Sequence, residues 1–271
     1  MTTSVVRIAC HSSAPRIADL AANTRNARAA VRGAVDAGAD LVVLPELVTS
    51  GYVFASPEEA AGVAITRDDE VFVGWAEEAA RGDAVVVGGF CERGEDGLYN
   101  SAAVVDASGV LAVYRKVHLW DEEKRFFRPG NALPPVLATR VGAIAPLVCY
   151  DLEFPEFTRA LALAGAELLA VPTNWPLVPR PAGERPPEVV IAMATARVNR
   201  VVVACCDRTG TERGQEWTAG TTVVGADGWP VASRDHEGLL LVDVDLAPTR
   251  DKRLTPRAHL FGDRRPDVYP A

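Results

Sequence analysis

Three residues of the types used in acyl-transfer chemistry each follow a strand-like run of the sequence. Glu46 comes directly after LVVLP, Lys116 after VLAVYR, and Cys149 after AIAPLV. Ligand sites in layered α/β proteins gather where strands end, because the strand ends are rigid and the loops that follow are free to carry reactive groups. An acid, a base and a thiol in this placement suggest a catalytic set.

Each of the three residues also has an ordinary structural explanation. A glutamate after a strand is usually a solvated loop residue or a helix cap. A lysine in YRKVHLW is usually a surface charge, and a cysteine among apolar residues is usually a small buried hydrophobe. Only the combination of the three favours a function.

The combination suits a thiol that attacks an amide carbonyl. A cysteine with an ordinary pKa of about 8.5 is only a few per cent thiolate near neutral pH, so a carboxylate such as Glu46 is needed to take its proton. Lys116 and the backbone N–H of Tyr150 would stabilise the negative charge that develops on the carbonyl oxygen. The alternative is a Cys–His pairing, but no obvious orienting partner accompanies any of the four histidines, His11, His118, His236 and His259.

Composition narrows the partners and the compartment. The formal net charge of −8 disfavours nucleic acid and anionic membrane surfaces, which leaves a small molecule as the expected ligand. The sequence has no signal-like start and no run of about 18 apolar residues, so we expect a soluble cytoplasmic protein. The odd number and spacing of the cysteines argue against disulfides and a structural metal: Cys10, Cys91, Cys149, Cys205 and Cys206.

Helical and strand patterns alternate along the chain. It opens with a strand at Val5–Cys10, a helix at Ile17–Ala37 and a strand at Leu41–Leu44 whose continuous apolar run indicates cover on both faces. Such alternation predicts a layered α/β sandwich. The remaining elements are helices at Asp68–Ala80, Phe157–Ala164 and Glu188–Asn199, strands at Ala84–Phe90, Ala143–Val148, Leu168–Val171, Val201–Cys205 and Leu239–Val244, and a surface loop at Pro176–Pro187.

Two similar segments predict β-hairpins with Asp- and Gly-containing turns. They are Ser101–Asp106 with Val110–Arg115, and Thr221–Gly225 with Trp229–Ser233. Their likeness has two explanations, a two-fold arrangement of similar halves or chance. Since no long linker divides the chain, we expect a single domain over residues 1–271.

The three catalytic candidates lie in motifs that resemble those of the nitrilase superfamily, the carbon–nitrogen hydrolases. The motifs are LVVLPELVTSGY around Glu46, VYRKVHLW around Lys116 and LVCYDLEFPE around Cys149, in the order that the family uses. Further likeness covers EEKRFFRPG, ELLAVPTNW and the tail DKRLTPRAHLFGDRRPDVY, so that the resemblance extends over essentially the whole chain.

The resemblance implies a four-layer αββα sandwich, a thioester intermediate and no cofactor. It also implies face-to-face dimers that can build larger oligomers, with the tail of residues 250–271 packed near a subunit interface. The basic residues of this tail alternate with Asp251, Asp263 and Asp267, which favours a solvated, salt-bridged segment over an anion-binding patch. Within the site it makes Glu46 the general base, Lys116 the oxyanion stabiliser and Cys149 the nucleophile.

The resemblance further implies a second glutamate shortly after the lysine motif. Glu123 aligns with it, and the adjacent Glu122 is the alternative. A helix-surface carboxylate is the ordinary explanation of Glu123. The residues expected to line the substrate pocket, with packing as their alternative role, are Tyr52, Tyr150, Asn174 and Trp175.

The dipeptide after the cysteine, Tyr150-Asp151, resembles the amidase and carbamoylase branches, whereas nitrilases proper tend to carry Trp-Glu. The expected reaction is therefore hydrolysis of a small, aliphatic amide to a carboxylic acid and ammonia. A hydrolase of N-carbamoyl compounds or a nitrilase is the alternative within the enzymes. A non-catalytic binding protein of the same fold is the alternative from another class.

Overall fold

Seven strands form the first of two sheets. The structure, a computed structural model, describes residues 5–232, 234–236 and 238–269. The strands of this sheet are β1 Val5–His11, β2 Leu41–Val43, β3 Val85–Arg93, β4 Leu98–Asp106, β5 Gly109–Arg115, β13 Arg234–His236 and β14 Leu239–Asp245. They lie in the order β13-β14-β1-β2-β3-β4-β5, and β1, β2 and β3 are parallel.

Five strands form the second sheet: β6 Leu137–Thr139, β7 Gly142–Pro146, β8 Leu168–Thr173, β9 Val202–Asp207 and β12 Thr222–Val224. They lie in the order β12-β9-β8-β7-β6, and β7, β8 and β9 are parallel. Two short antiparallel pairs complete the strands: β10 Thr211–Glu212 with β11 Gln215–Glu216, and β15 Arg253–Thr255 with β16 Ala258–His259.

Five of the six α-helices in the described part of the chain connect parallel strands. The α-helices are α1 Leu20–Asp36, α2 Pro57–Gly62, α3 Glu70–Ala80, α4 Pro155–Leu163, α5 Pro187–Asn199 and α6 Ala247–Arg250. Two short 3₁₀ helices, Asp121–Arg125 and Cys149–Glu153, follow the strand ends that carry the lysine and cysteine motifs.

Three apolar cores separate four layers. Side chains alternate along each strand, so in β1 Ile8 and Cys10 face the second sheet while Ala9 faces helices α1 and α3. In β8, likewise, Leu168 faces the first sheet and Leu169 faces helices α4 and α5. The order helix, sheet, sheet, helix confirms the predicted αββα sandwich.

Helix α1 begins three residues later than the periodicity predicts. Ala18 has a left-handed backbone with φ +57°, which ends any helical continuation from Ile17. The Asp19 side chain then accepts the Ala22 N–H at 3.0 Å and caps the helix, which begins at Leu20. Apolar spacing predicted the buried face correctly but could not locate this turn.

Both predicted hairpin turns form, in corresponding places. The first hairpin is β4 with β5, and β4 pairs antiparallel with β3. In the second, β12 pairs antiparallel with β9, and the short return segment is joined to β12 by a bridge between Val224 and Pro230 and by the Val231 N–H, which donates to the Val223 carbonyl at 2.8 Å. Ser233 lies outside the described residues. In each sheet the turn comes after the antiparallel strand that pairs with the third parallel strand. This matching order favours two similar halves over chance.

The tail from residue 250 packs against α4 and α5 of its own chain, as far as residue 269. Lys252 donates to the carbonyls of Asn199 and Arg200 at the end of α5, and Phe261 packs against the second helical layer. The expected salt bridges occur at Arg253–Asp251 and Arg265–Asp267. Over the described part of the chain, no helix is both long and apolar enough to cross a membrane.

Candidate active site

Glu46 lies, fully buried, in a tight turn after β2. The turn places Leu47 in the left-handed region with φ +49°, a conformation that costs an L-residue roughly 1–2 kcal/mol. Strand β3 holds the turn, because the Gly89 N–H donates to the Pro45 carbonyl and the Gly89 carbonyl accepts the Val48 N–H, both at 3.0 Å. A Cβ on Gly89 would lie 2.5 Å from the Glu46 Cα, so this close approach needs glycine.

Replacing Gly89 with alanine is expected to displace Glu46. A shift of about 1 Å in a reacting group can lower kcat/KM by about 10², and we expect a loss of that order. The matched control is Gly33→Ala, on an exposed position of α1 where a Cβ meets nothing within 4 Å. Steady-state kinetics with one amide, beside thermal unfolding of both variants, make the test. Parental kcat/KM in a folded Gly89→Ala protein would contradict this account of the turn.

Lys116 bridges two carboxylates in the interior of the protein. Its backbone N–H donates to the Asn100 carbonyl and its own carbonyl accepts the Gly130 N–H, which fixes the chain as it leaves β5. The Nζ atom lies 2.8 Å from Glu46 Oε1 and 2.7 Å from Glu123 Oε1, without solvent exposure. Burial alone would lower the pKa of the ammonium group, but the two carboxylates outweigh burial and raise it. Lys116 is therefore charged.

The second glutamate at the site is Glu123. Its side chain is 2 % exposed, and besides Lys116 it accepts the Tyr52 hydroxyl at 2.7 Å and the Trp120 N–H at 3.0 Å. The alternative, Glu122, is directed away from Lys116: its side chain is 63 % exposed and pairs with Arg125. The structure thus brings Glu123, and not Glu122, to the lysine.

Cys149 begins the second 3₁₀ helix with a left-handed backbone, φ +46°. It is 7 % exposed, and the backbone N–H of Asn174 donates toward its sulfur. Burial, and then the Glu46 carboxylate, raise the pKa of the thiol well above its ordinary value, while Lys116 opposes them. The resting thiol is therefore neutral, within electrostatic reach of the acid and the lysine.

Asp151 ties the cysteine segment to the lysine segment. It accepts the Val148 N–H at 3.2 Å and the Tyr114 hydroxyl at 2.7 Å, and it bonds both the backbone N–H and the Nδ1 of His118. The expectation that no histidine has an orienting partner is therefore wrong for His118. The side chain of His236 lies outside the described residues.

Sequence reasoning missed Asn100, which joins the two glutamates. Its Nδ2 donates to Glu46 Oε1 at 2.7 Å and approaches Glu123 Oε1 at 3.4 Å. The available signal was a polar residue inside the buried strand LYNSAAVVD, since buried amides need partners.

A cavity of about 170 Å³ adjoins Glu123. Tyr52 lines it and packs edge-on against the ring of Trp217, which sequence reasoning missed. We call it the aromatic cavity; its lining residues are Tyr52, Val53, Phe54, Trp120, Asp121, Glu122, Glu123, Phe126, Phe127, Pro176, Gln215 and Trp217.

The other three predicted pocket residues do not line the aromatic cavity. Tyr150 packs against the rings of Trp120 and Phe154. The Asn174 side chain donates to the backbone carbonyl of Glu46 at 2.9 Å and so stabilises the turn that carries Glu46. The Trp175 ring is buried in the core beneath α4 and α5, which is the packing role considered for it.

Comparison with known proteins agrees with this geometry. The family model described as carbon-nitrogen hydrolase matches residues 7–253. The chain belongs to the carbon–nitrogen hydrolases. It is similar to a nitrilase from Pyrococcus abyssi, with 33 % identity over 98 % of this chain and 99 % of the relative. It is also similar to an N-carbamoylputrescine amidase from Arabidopsis thaliana, with 32 % identity over 93 % and 90 %.

Among solved structures, this carbon–nitrogen hydrolase resembles a mutant of the amidase from Nesterenkonia sp. AN1. The TM-score is 0.78, with 29 % identity over 98 % of this chain and 96 % of the other. That structure shows covalent addition of the acetamide moiety of fluoroacetamide at its active-site cysteine. The predicted superfamily and fold are confirmed, and the chain is an enzyme rather than a silent scaffold.

Proposed function

We propose that this carbon–nitrogen hydrolase converts small amides to the carboxylic acid and ammonia through a thioester on Cys149. The observation that supports this best concerns Glu46. One carboxylate oxygen, Oε1, is held by Lys116 and Asn100, whereas Oε2 is buried with no hydrogen-bond partner among the described residues. A held carboxylate with one free oxygen, beside a neutral thiol, suits a base that takes and returns a proton.

In the first half-reaction, Glu46 takes the thiol proton as the sulfur attacks the amide carbon. Because the thiol pKa is raised, proton transfer accompanies attack rather than preceding it. Lys116 and the backbone N–H of Tyr150 stabilise the tetrahedral oxyanion. The carbon–nitrogen bond then breaks, and the amine leaves as ammonia with the proton that Glu46 carried.

In the second half-reaction, water attacks the thioester carbon and gives a proton to Glu46. The carbon–sulfur bond breaks, the sulfur recovers that proton, and the carboxylic acid departs. Glu123 keeps Lys116 in place throughout, since its carboxylate contacts the ammonium group from the other side. Each proton taken is returned, so no further reactant than water is needed.

The acid limb of the pH profile is expected near pH 7. Burial, and secondarily the Glu123 carboxylate, raise the pKa of Glu46 to about 7, although Lys116 opposes them. Since protonated Glu46 cannot accept the thiol proton, kcat/KM should fall about tenfold per pH unit below that value. Initial rates between pH 5 and 9 measure this. The Asn100→Ala variant removes a hydrogen bond that favours the carboxylate, so its limb should move to higher pH. A pH-independent kcat/KM from 5 to 7 would contradict the role of Glu46.

The direct test is to incubate the protein with acetamide, butanamide and the matching nitriles and to measure ammonia and acid. We expect equimolar ammonia and acid from the amides. Hydrolysis of nitriles with inert amides would overturn the amidase proposal.

N-carbamoyl compounds are the second candidate substrates. The relative in Arabidopsis thaliana is named for N-carbamoylputrescine, and Tyr150-Asp151 fits both branches. The same assay separates the two, because a carbamoyl substrate releases carbon dioxide together with ammonia and an amine, whereas an amide leaves a carboxylic acid.

A further inference from the structure

The aromatic cavity lies one hydrogen bond away from the proposed catalytic lysine. Glu123 lines the cavity and contacts the Lys116 Nζ at 2.7 Å, and Tyr52 lines it and donates to the same carboxylate. A substrate held at the proposed site would have this space beside it for its acyl chain. With about 30 Å³ for a water-sized group, 170 Å³ holds roughly five or six such groups.

The charged residues that line the cavity all have one sign. Asp121, Glu122 and Glu123 line it, and none of its twelve lining residues is lysine, arginine or histidine. The other walls are chiefly aromatic rings, including Trp120 and Trp217, whose faces attract cations and offer nothing to an anion.

Two exposed arginines beside the lining are already paired. Arg125 pairs with Glu122 and lies over the Phe126 ring, and Arg213 pairs with Glu59.

The buried cations near the cavity are engaged as well. Lys116 serves Glu46 and Glu123. Arg208 is buried, pairs with Glu212 at 2.9 Å and lies against the Trp217 ring, outside the lining. A carboxylate entering this cavity would lose its hydration without gaining a free cation, and burying an unpaired charge is costly.

We propose that the enzyme selects its amides by charge: it accepts neutral or cationic acyl chains and rejects amides that carry a second carboxylate. This inference rests on the amidase function proposed above. We expect Glu123 to contribute most to the rejection of anionic amides, because its carboxylate is buried. Asp121 and Glu122 contribute less, because solvent screens exposed charges.

Three amides of matched chain length test it: butanamide, 4-aminobutanamide and succinamate. We expect kcat/KM for succinamate to be at least about 30-fold below that for butanamide, with 4-aminobutanamide within about threefold of butanamide. Succinamate within about threefold of butanamide would overturn the charge selectivity.

Binding to the Cys149→Ala variant, measured by calorimetry, separates this inference from the proposed function. If no amide is hydrolysed, the amidase proposal fails. The charge selectivity still stands or falls on whether succinamate binds more weakly than butanamide.

A second test adds a positive charge to the cavity lining and asks whether the enzyme then accepts the anionic amide better. Glu122→Lys adds a cation to the lining, so the ratio of succinamate to butanamide kcat/KM should rise by about fivefold or more. Glu77→Lys makes the same charge change on the exposed face of α3 and should leave that ratio unchanged. Equal ratios in the two variants would count against the proposal.

Discussion

Cys149→Ala is expected to lower kcat for amide hydrolysis by on the order of 10⁵, because it removes the nucleophile of the proposed acyl-enzyme. In the proposed mechanism the sulfur bonds the acyl carbon, whereas the oxyanion donors only bind the substrate. Folding should be little affected, since the side chain is small. Ammonia release, followed over days at high enzyme concentration, measures the residual rate.

Cys91→Ala is the matched control for the cysteine variant. Cys91 is buried in β3, where its thiol donates to the Ala60 carbonyl and packs among apolar side chains, so it has no part in the proposed chemistry. We expect kcat within about threefold of the parent and a loss of stability of about 1 kcal/mol. A Cys149→Ala protein that keeps more than about 1 % of kcat would show that the nucleophile is elsewhere.

Lys116→Met should have the second largest effect, on both activity and stability. Losing the cation removes oxyanion stabilisation and should lower kcat by at least about 10²–10³. It also leaves Glu46 and Glu123 buried together without their shared partner, at a cost of about 3–5 kcal/mol. Amide kinetics and urea unfolding of the same preparation measure the two effects.

The loss of stability should depend on pH with a defined sign. Without Lys116 the pKa of Glu46 rises further, since the lysine is what lowers it. The folded protein then holds a proton that the unfolded chain releases, so the free energy of unfolding should fall as pH rises from 5 to 8. Adding Glu123→Gln to Lys116→Met should recover part of this stability but none of the activity. A Lys116→Met protein as stable as the parent at pH 8 would contradict the buried ion-pair geometry.

The layers and the meeting of the three motifs could be predicted because both depend on strands. Apolar runs such as Leu41–Leu44 mark strands covered on both faces, and the observed β2 is buried throughout. Since parallel strands direct their carboxyl ends to one edge, Glu46 and Cys149 come together from different sheets. Apolar spacing therefore carries information about the location of the site.

The remaining details depend on backbone turns that side-chain type does not reveal. Leu47 and Cys149 adopt left-handed backbones although neither residue type favours them. The choice between Glu122 and Glu123 depends on which face of one short 3₁₀ helix turns inward.

The pocket walls were harder still to predict. Trp175 and Trp217 both lie in loop segments, yet the first is packed in a core and the second lines the aromatic cavity. The Trp217 ring packs against Arg208, which in turn pairs with Glu212. Contacts of this kind between side chains leave no periodic pattern in the sequence.

The central claim is that the sulfur of Cys149 becomes acylated during turnover. Acid quenching within the first turnover of butanamide, followed by proteolysis and mass spectrometry, tests it most directly. We predict a butyryl group on the peptide that contains Cys149, released as the hydroxamate by hydroxylamine. Turnover with no acyl-cysteine at any quench time, or with the acyl group on Cys10, Cys91, Cys205 or Cys206, would contradict it.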